Sequence, residues 1–300
     1  MTYLACLDLG FIPAWLNRNS TALLVALSLA PVGADAEQRK AEFDRIVSIG
    51  GSVTEIIYAL EQQHRLIARD TTSSFPAEVM TLPDVGYMRA LSPEGVLSVT
   101  PNLIVAEEGS GPPEAIDLLK AASVSFVTVP DKFSSQGIID KVLAVGWALG
   151  VESKAQALAK SLTLELAAAE AAANVNDGSQ KKVLFVLSVR GGRILASGTN
   201  TAADGIIRMA GAINAISEFE GYKLLSDEAI IAAAPDIILM MDRGGDHSTA
   251  ADELFALPAV ATTPAAQSRA IIRMNGLYLL GFGPRTGKAI LQLSKALYTR

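Results

Sequence analysis

The sequence predicts an α/β protein built of two Rossmann-like lobes joined by a long α-helix, with a ligand cleft between the lobes. Three observations predict it. LSPEGVLSVTPNLIV at 91–105 aligns without gaps on LSDEAIIAAAPDIIL at 225–239, so one short unit occurs twice, far apart in the chain. A strand, a glycine-bearing turn and a helix occur at 45–60 and again, in the same order, from 183 to 211. Between these blocks, residues 134–174 hold no proline and are rich in Ala, Leu, Lys and Glu at helical spacing, the composition of a connecting helix.

The first segment reads as a leader. TALLVALSLA at 21–30 is an uncharged apolar run with Arg18 before it, and Ala34-Asp35-Ala36 places small residues at the two positions read by a signal peptidase. The run is too short to span a bilayer. Residues 1–17 form a long leading region containing Asp8, Phe11 and Trp15, as a start site placed too early would give. Cleavage after Ala36 removes Cys6, the single cysteine, so the exported chain is expected to be soluble and free of thiols, disulfides and cysteine metal sites.

The expected boundaries are a signal peptide at 1–36, an N-terminal lobe at 37–132, a linking helix at 133–175 and a C-terminal lobe at 176–300. In the first lobe RIVSIG at 45–50 reads as a strand, Gly50-Gly51-Ser52 as a tight turn and VTEIIYAL at 53–60 as a helix. Free N–H groups at such a helix start favour anions, but a plain structural turn is the stronger reading, and the glycines fit neither the Walker nor the dinucleotide pattern. RLIARD and a proline-bearing loop to residue 90 lead into the first repeat copy. There Ser92 caps a short helix, Pro101 ends it, and a buried parallel strand follows. SFVTVP at 125–130 is a further strand. Gly150 divides the linking segment into two possible helices. VLFVLSV at 183–189 opens the second lobe, followed by Gly191-Gly192, the helix ADGIIRMAG and the second repeat copy, with Ser226 and Pro235 in the matching places.

Half of the residues are hydrophobic, enough for a core in each lobe, and the net charge of −6 gives no reason to expect a nucleic acid or an anionic membrane as partner. His64 and His247 are the only histidines, too few for a zinc site. No G-x-S-x-G elbow, H-E-x-x-H motif or cysteine–histidine pair is present. A secreted α/β enzyme, the one alternative from another functional class, would have to rest on acids and arginines alone.

The leader, RIVSIGGSVTEIIYAL, LSPEGVLSVTPNLIVAEE, the mid-chain helix and LSDEAIIAAAPDIILM together resemble the class III periplasmic substrate-binding proteins, over residues 44–300. VGYMRALSPEGVLSV, EEGSGPP at 107–113 and LLGFGPR at 279–285 are most similar to the haem-binding branch. The resemblance implies a periplasmic, monomeric, non-enzymatic carrier. It would take ferric haem from an upstream outer-membrane receptor system to an ABC permease dimer with its ATPase. A ferric-siderophore or cobalamin carrier is the alternative within the class.

The resemblance also assigns residues. Tyr87, in the Gly-Tyr-x-x-x-Leu-Ser stretch, would be the axial ligand to haem iron, and a phenolate is a hard donor suited to Fe(III). Arg89, two residues on, would share its face in extended backbone and favour the ionised phenol. Arg190 and Arg243, at strand ends in the second lobe, are candidate partners for the haem propionates. Arg190 stands where some haem-binding relatives carry a histidine, so a second axial ligand from that loop is not expected. His247 is a weaker candidate near the cleft, and His64 reads as solvated. Glu94 and Glu228 occupy the same place in each repeat copy. They suit the helix macrodipole, and the resemblance makes them the acids that meet arginines on two permease subunits.

Overall fold

The branched-aliphatic runs form two separate sheets. We describe the protein from a computed structural model covering residues 43–174, 180–242 and 251–298; the proposed leader, Cys6, Arg243 and His247 lie outside these residues. In the first lobe, β1 (Ile46–Ile49), β2 (Leu66–Arg69), β3 (Leu103–Glu107) and β4 (Ser125–Val129) form a fully parallel sheet of order β2-β1-β3-β4. Parallel strands covered on both faces carry near-continuous apolar runs. Every residue of β1 is buried, Ser48 included.

The second sheet is mixed. β5 (Lys182–Arg190), β9 (Ile237–Asp242) and β10 (Ile271–Asn275) run parallel, while β6 (Arg193–Ser197) returns antiparallel from β5 and pairs with β8 (Tyr222–Leu224). A short β7 (Ile213–Asn214) adds to the start of β5. This corrects the expectation that both lobes open with the same strand–turn–helix order. Gly191 and Gly192, at φ 55° and 77°, make the two-residue turn of the β5–β6 hairpin rather than a lead into a helix.

The repeat folds as one unit twice. In the first copy a short helix, α2 (Pro93–Leu97), precedes β3; in the second, α7 (Asp227–Ala233) precedes β9. Ser92 Oγ accepts from the Gly95 N–H and Ser226 Oγ from the Ala229 N–H, both at 3.2 Å. A left-handed residue comes immediately before each proline, Thr100 at φ 52° and Ala234 at φ 41°. The helix ends at Leu97 in the first copy and at Ala233 in the second, ahead of the ring in both.

The linking segment is two helices. α4 (Ser135–Leu149) starts at the Ser134 cap and ends on Gly150 at φ 66°, and α5 (Glu152–Ala173) follows. A Cβ on Gly146 would come within 2.1 Å of the Ala155 Cβ, so this glycine lets the two helices pack closely. Helix α4 lies on the first lobe, against β4 and α1 (Gly51–Ala59). Helix α5 lies against α12 (Thr286–Tyr298) of the second lobe. A single buried cluster runs from Ile46 and Ile56 through Val142, Val145, Ala155 and Leu162 to Val183 and Ile290. One core thus spans the inner faces of both lobes, and separating them would expose it to water.

Candidate functional site

The first wall of the site is the C-terminal edge of the parallel sheet. Gly50, at φ 107°, turns the chain out of β1, and a Cβ there would meet the Glu107 Cβ at 2.6 Å. Two of the N–H groups at the helix start are taken within the protein: Gly50 donates to Asp70 Oδ1 and Gly51 to Thr72 Oγ1, each at 3.0 Å. Asp70 also accepts from the Thr72 N–H at 2.9 Å and the Ser73 hydroxyl at 2.7 Å. The two glycine donors of the turn therefore serve the fold rather than an anion.

Behind this turn two cations join the lobes. Lys141, on α4, is fully buried. Its Nζ donates to Asp131 Oδ1 at 2.7 Å, Ser52 Oγ at 3.0 Å and the Gly281 carbonyl at 3.3 Å, and lies 3.4 Å from Glu107 Oε2. Ser52 also donates to Glu107. Burial holds the Glu107 carboxyl above its usual range; Lys141 opposes that shift and Asp131 adds to it. Gly281 belongs to the second lobe, in the loop after α11 (Gly276–Leu280). Four residues on, Arg285 forks onto Glu55 of α1, with Nε to Oε2 at 2.8 Å and Nη2 to Oε1 at 2.5 Å. Desolvation raises the Glu55 carboxyl against the pull of Arg285 and Lys141. Phe282, between them, is buried edge-on to Phe133 at 5.4 Å. The LLGFGPR segment is therefore the joint between the lobes.

Tyr87 sits on a rim loop fastened to this wall. Thr71 N–H donates to the Gly86 carbonyl at 2.9 Å, Val85 N–H to Arg69 at 2.9 Å and Gly111 N–H to Met88 at 2.8 Å. The Tyr87 side is 44% exposed, and its hydroxyl has no hydrogen-bond partner among the described residues. The backbone here is not extended. Ala90 N–H donates to the Tyr87 carbonyl at 2.8 Å, closing a turn with Met88 and Arg89 at its corners, Met88 inward and Arg89 outward. The geometric premise that put Arg89 on the face of Tyr87 therefore fails. Arg89 instead acts on Tyr222 of the second lobe: burial raises that phenol, and a hydrogen bond from Thr201 and the nearby Arg89 charge oppose the shift.

The remaining sequence candidates divide. Arg190 is exposed at the tip of the β5–β6 hairpin, opposite Arg193. Parallel pairing of Val186 with Met240 sets this tip at the same sheet edge where β9 ends at Asp242, just before Arg243. Glu94 and Glu228 are exposed on the first turns of α2 and α7. Each carboxyl is held below its usual range by its own backbone N–H and then by the capping serine. His64 is exposed, as expected. Among the described residues no cluster of three or more His, Cys, Asp or Glu side chains could hold a metal, and no helix is long and apolar enough to cross a membrane. Two surface concavities, of about 270 and 420 Å³, lie on the β3–β4–α3 (Pro113–Ala121) side and beneath β7 and α7; neither includes Tyr87.

Sequence reading missed Lys141, Glu107, Tyr222 and the Arg285–Glu55 pair. Lys141 left one signal: it stands among Ile138, Val142 and Val145 on the buried face of a helix, where a charge requires partners. Those partners come from 10 to 140 residues away, and no local pattern reports them.

Comparison with known proteins agrees with this architecture. The chain is 31% identical over 205 residues to the uncharacterized ABC transporter substrate-binding lipoprotein YvrC of Bacillus subtilis, covering 68% of this chain and 65% of that protein. It is 29% identical over 118 residues to a vitamin B12-binding protein of Yersinia pestis, 39% of each chain. Among solved structures it is similar to the periplasmic heme-binding protein BhuT in complex with two hemes, with TM-score 0.80 and 38% identity over 84% of this chain and 97% of that one. The heme-binding protein RhuT from Roseiflexus sp. RS-1, in apo form, gives TM-score 0.81 and 38% identity over 85% and 98%. These relatives are binding proteins rather than enzymes. The profile of the family described as Periplasmic binding protein matches residues 46–276, and with this two-lobed fold the chain belongs to that family.

Proposed function

We propose that this protein is a periplasmic carrier that captures ferric haem between its lobes and delivers it to an ABC importer in the inner membrane. In this reading residues 37–132 and 176–300 are the lobes, 133–175 is the link, and 1–36 is the export signal. The observation that carries it is Tyr87: a phenol 44% exposed, without a protein partner among the described residues, on a loop pinned to the rim. A large aromatic with an unused hydroxyl on a fixed loop suits a ligand more than a core. Tyr87 is the iron ligand. Arg89 and Arg190 line the approach with positive charge, and Arg243, the next residue in sequence after β9, is the third candidate for the propionates. The resemblance to two heme-binding proteins at 38% identity supports haem over other cargo.

The test is a titration of residues 37–300 with ferric haem, followed by visible absorption, alongside Tyr87→Phe and a parallel titration with cyanocobalamin. The expected result is a tyrosinate-ligated ferric spectrum that Tyr87→Phe abolishes, with weaker binding. An unchanged spectrum in the variant would remove Tyr87 as ligand. Saturable binding of cyanocobalamin without binding of haem would establish the cobalamin reading, which the shorter match to the vitamin B12-binding protein favours.

A further inference from the structure

Arg285 is held along one edge by a carboxylate and lies against two aromatic rings, and its other donors are unused among the described residues. Glu55 takes its Nε and Nη2 protons. The Phe75 ring centre lies 3.6 Å from the guanidinium carbon and that of Tyr278 5.1 Å from it. A guanidinium carries five N–H donors in a rigid plane. Glu55 uses two of them, and no acceptor among the described residues takes the others. The side chain keeps 23% exposure. An arginine serving only as a strut looks different: Arg65, buried, spends its donors on the carbonyls of Phe43 and Leu149 and on Gln62. The free end of Arg285 is a fork of one proton from each terminal nitrogen, the geometry that accepts a carboxylate through two parallel bonds.

Its position points the same way. Phe75 is 42% exposed and belongs to the loop whose Thr71 and Thr72 contact Gly86 and Met88, on either side of Tyr87. The guanidinium therefore lies beside a loop that is fastened to the one carrying the candidate iron ligand, with an apolar ring next to it. We propose that Arg285 is a specificity-determining residue of the interlobe site: its free fork receives a carboxylate of the bound ligand, and Phe75 packs on the ligand's apolar body. The proposal rests on the haem reading, since haem presents two carboxylates on a flat apolar ring. Glu55 offsets part of the guanidinium charge, so recognition comes from the fixed geometry of the fork rather than from net charge.

Ferric haem and its dimethyl ester, in which both carboxylates are capped, are titrated into the wild type, Arg285→Gln and Arg285→Lys, with cooperative thermal melting confirming the fold of each. The expected result is about tenfold weaker haem binding by Arg285→Gln, the lower range for hydrogen bonds to a charged group, with binding of the ester unchanged. Arg285→Lys, which keeps the ion pair with Glu55 but loses the fork, falls between. If Arg285→Gln does not melt cooperatively, Arg285→Lys decides by the same comparison. Equal losses for haem and ester, or no loss for either, would show that Arg285 only joins the lobes and overturn the assignment while haem binding stands. A wild type that binds neither compound would overturn the haem reading and this proposal with it.

Discussion

Replacing Lys141 by methionine isolates the buried charge on which the joint depends. Methionine keeps most of the aliphatic volume, so the change removes an ammonium and little packing. The structure sets the magnitude. Asp131 and Glu107 lie 2.7 and 3.4 Å from Nζ, and their side chains are only 17% and 12% exposed. Without the cation two carboxylates face each other in a poorly solvated site, and breaking a buried pair from one side costs about 3–5 kcal/mol. The sign of the pH dependence follows. Burial already raises Glu107 and Lys141 restrains it, so the variant's Glu107 takes up its proton at still higher pH. A carboxyl raised in the folded state binds its proton more tightly folded than unfolded, so its stabilising effect is complete below the unfolded value and is lost as pH rises through the folded one. The deficit of Lys141→Met is therefore largest at neutral pH and shrinks on acidification through that window. Urea denaturation of wild type and variant at several pH values measures it. A loss below about 1 kcal/mol at neutral pH, the value of an exposed pair, or a deficit that grows on acidification, would refute the role assigned to Lys141.

Two further outcomes are expected. Gly50→Ala places a Cβ 2.6 Å from the Glu107 Cβ at φ 107°, and strain with overpacking costs about 2–5 kcal/mol; a shift in urea midpoint worth less than roughly 0.5 kcal/mol, the usual surface-mutation range, would contradict the required turn. Glu94→Lys combined with Glu228→Lys leaves folding and haem binding intact, because both carboxyls are exposed, and stops uptake by cells that rely on haem iron. Growth on haem with this double variant as sole carrier would rule out docking through these acids.

The sequence by itself determined what is local. The repeat reports its own caps and strands, because a serine cap, a short apolar stripe and a proline act within a dozen residues of one another. The parallel character of β3 and β9 follows from uninterrupted branched-aliphatic runs, and Gly150 marked the division of the linking segment. The second lobe's hairpin was not legible, because a glycine pair after a strand leads equally well into a helix or an antiparallel return; pairing with β8 decides it. Arg89 shows the same limit. Spacing alone gave it the face of Tyr87, whereas a turn closed by one backbone hydrogen bond removes the extended backbone which that placement required. Tertiary structure alone decided the joint, since Lys141 with Gly281 and Arg285 with Glu55 are pairs 140 and 230 residues apart. A buried charge must be paired wherever the chain supplies a partner. Sequence shows the charge, and only the fold shows which partner reaches it.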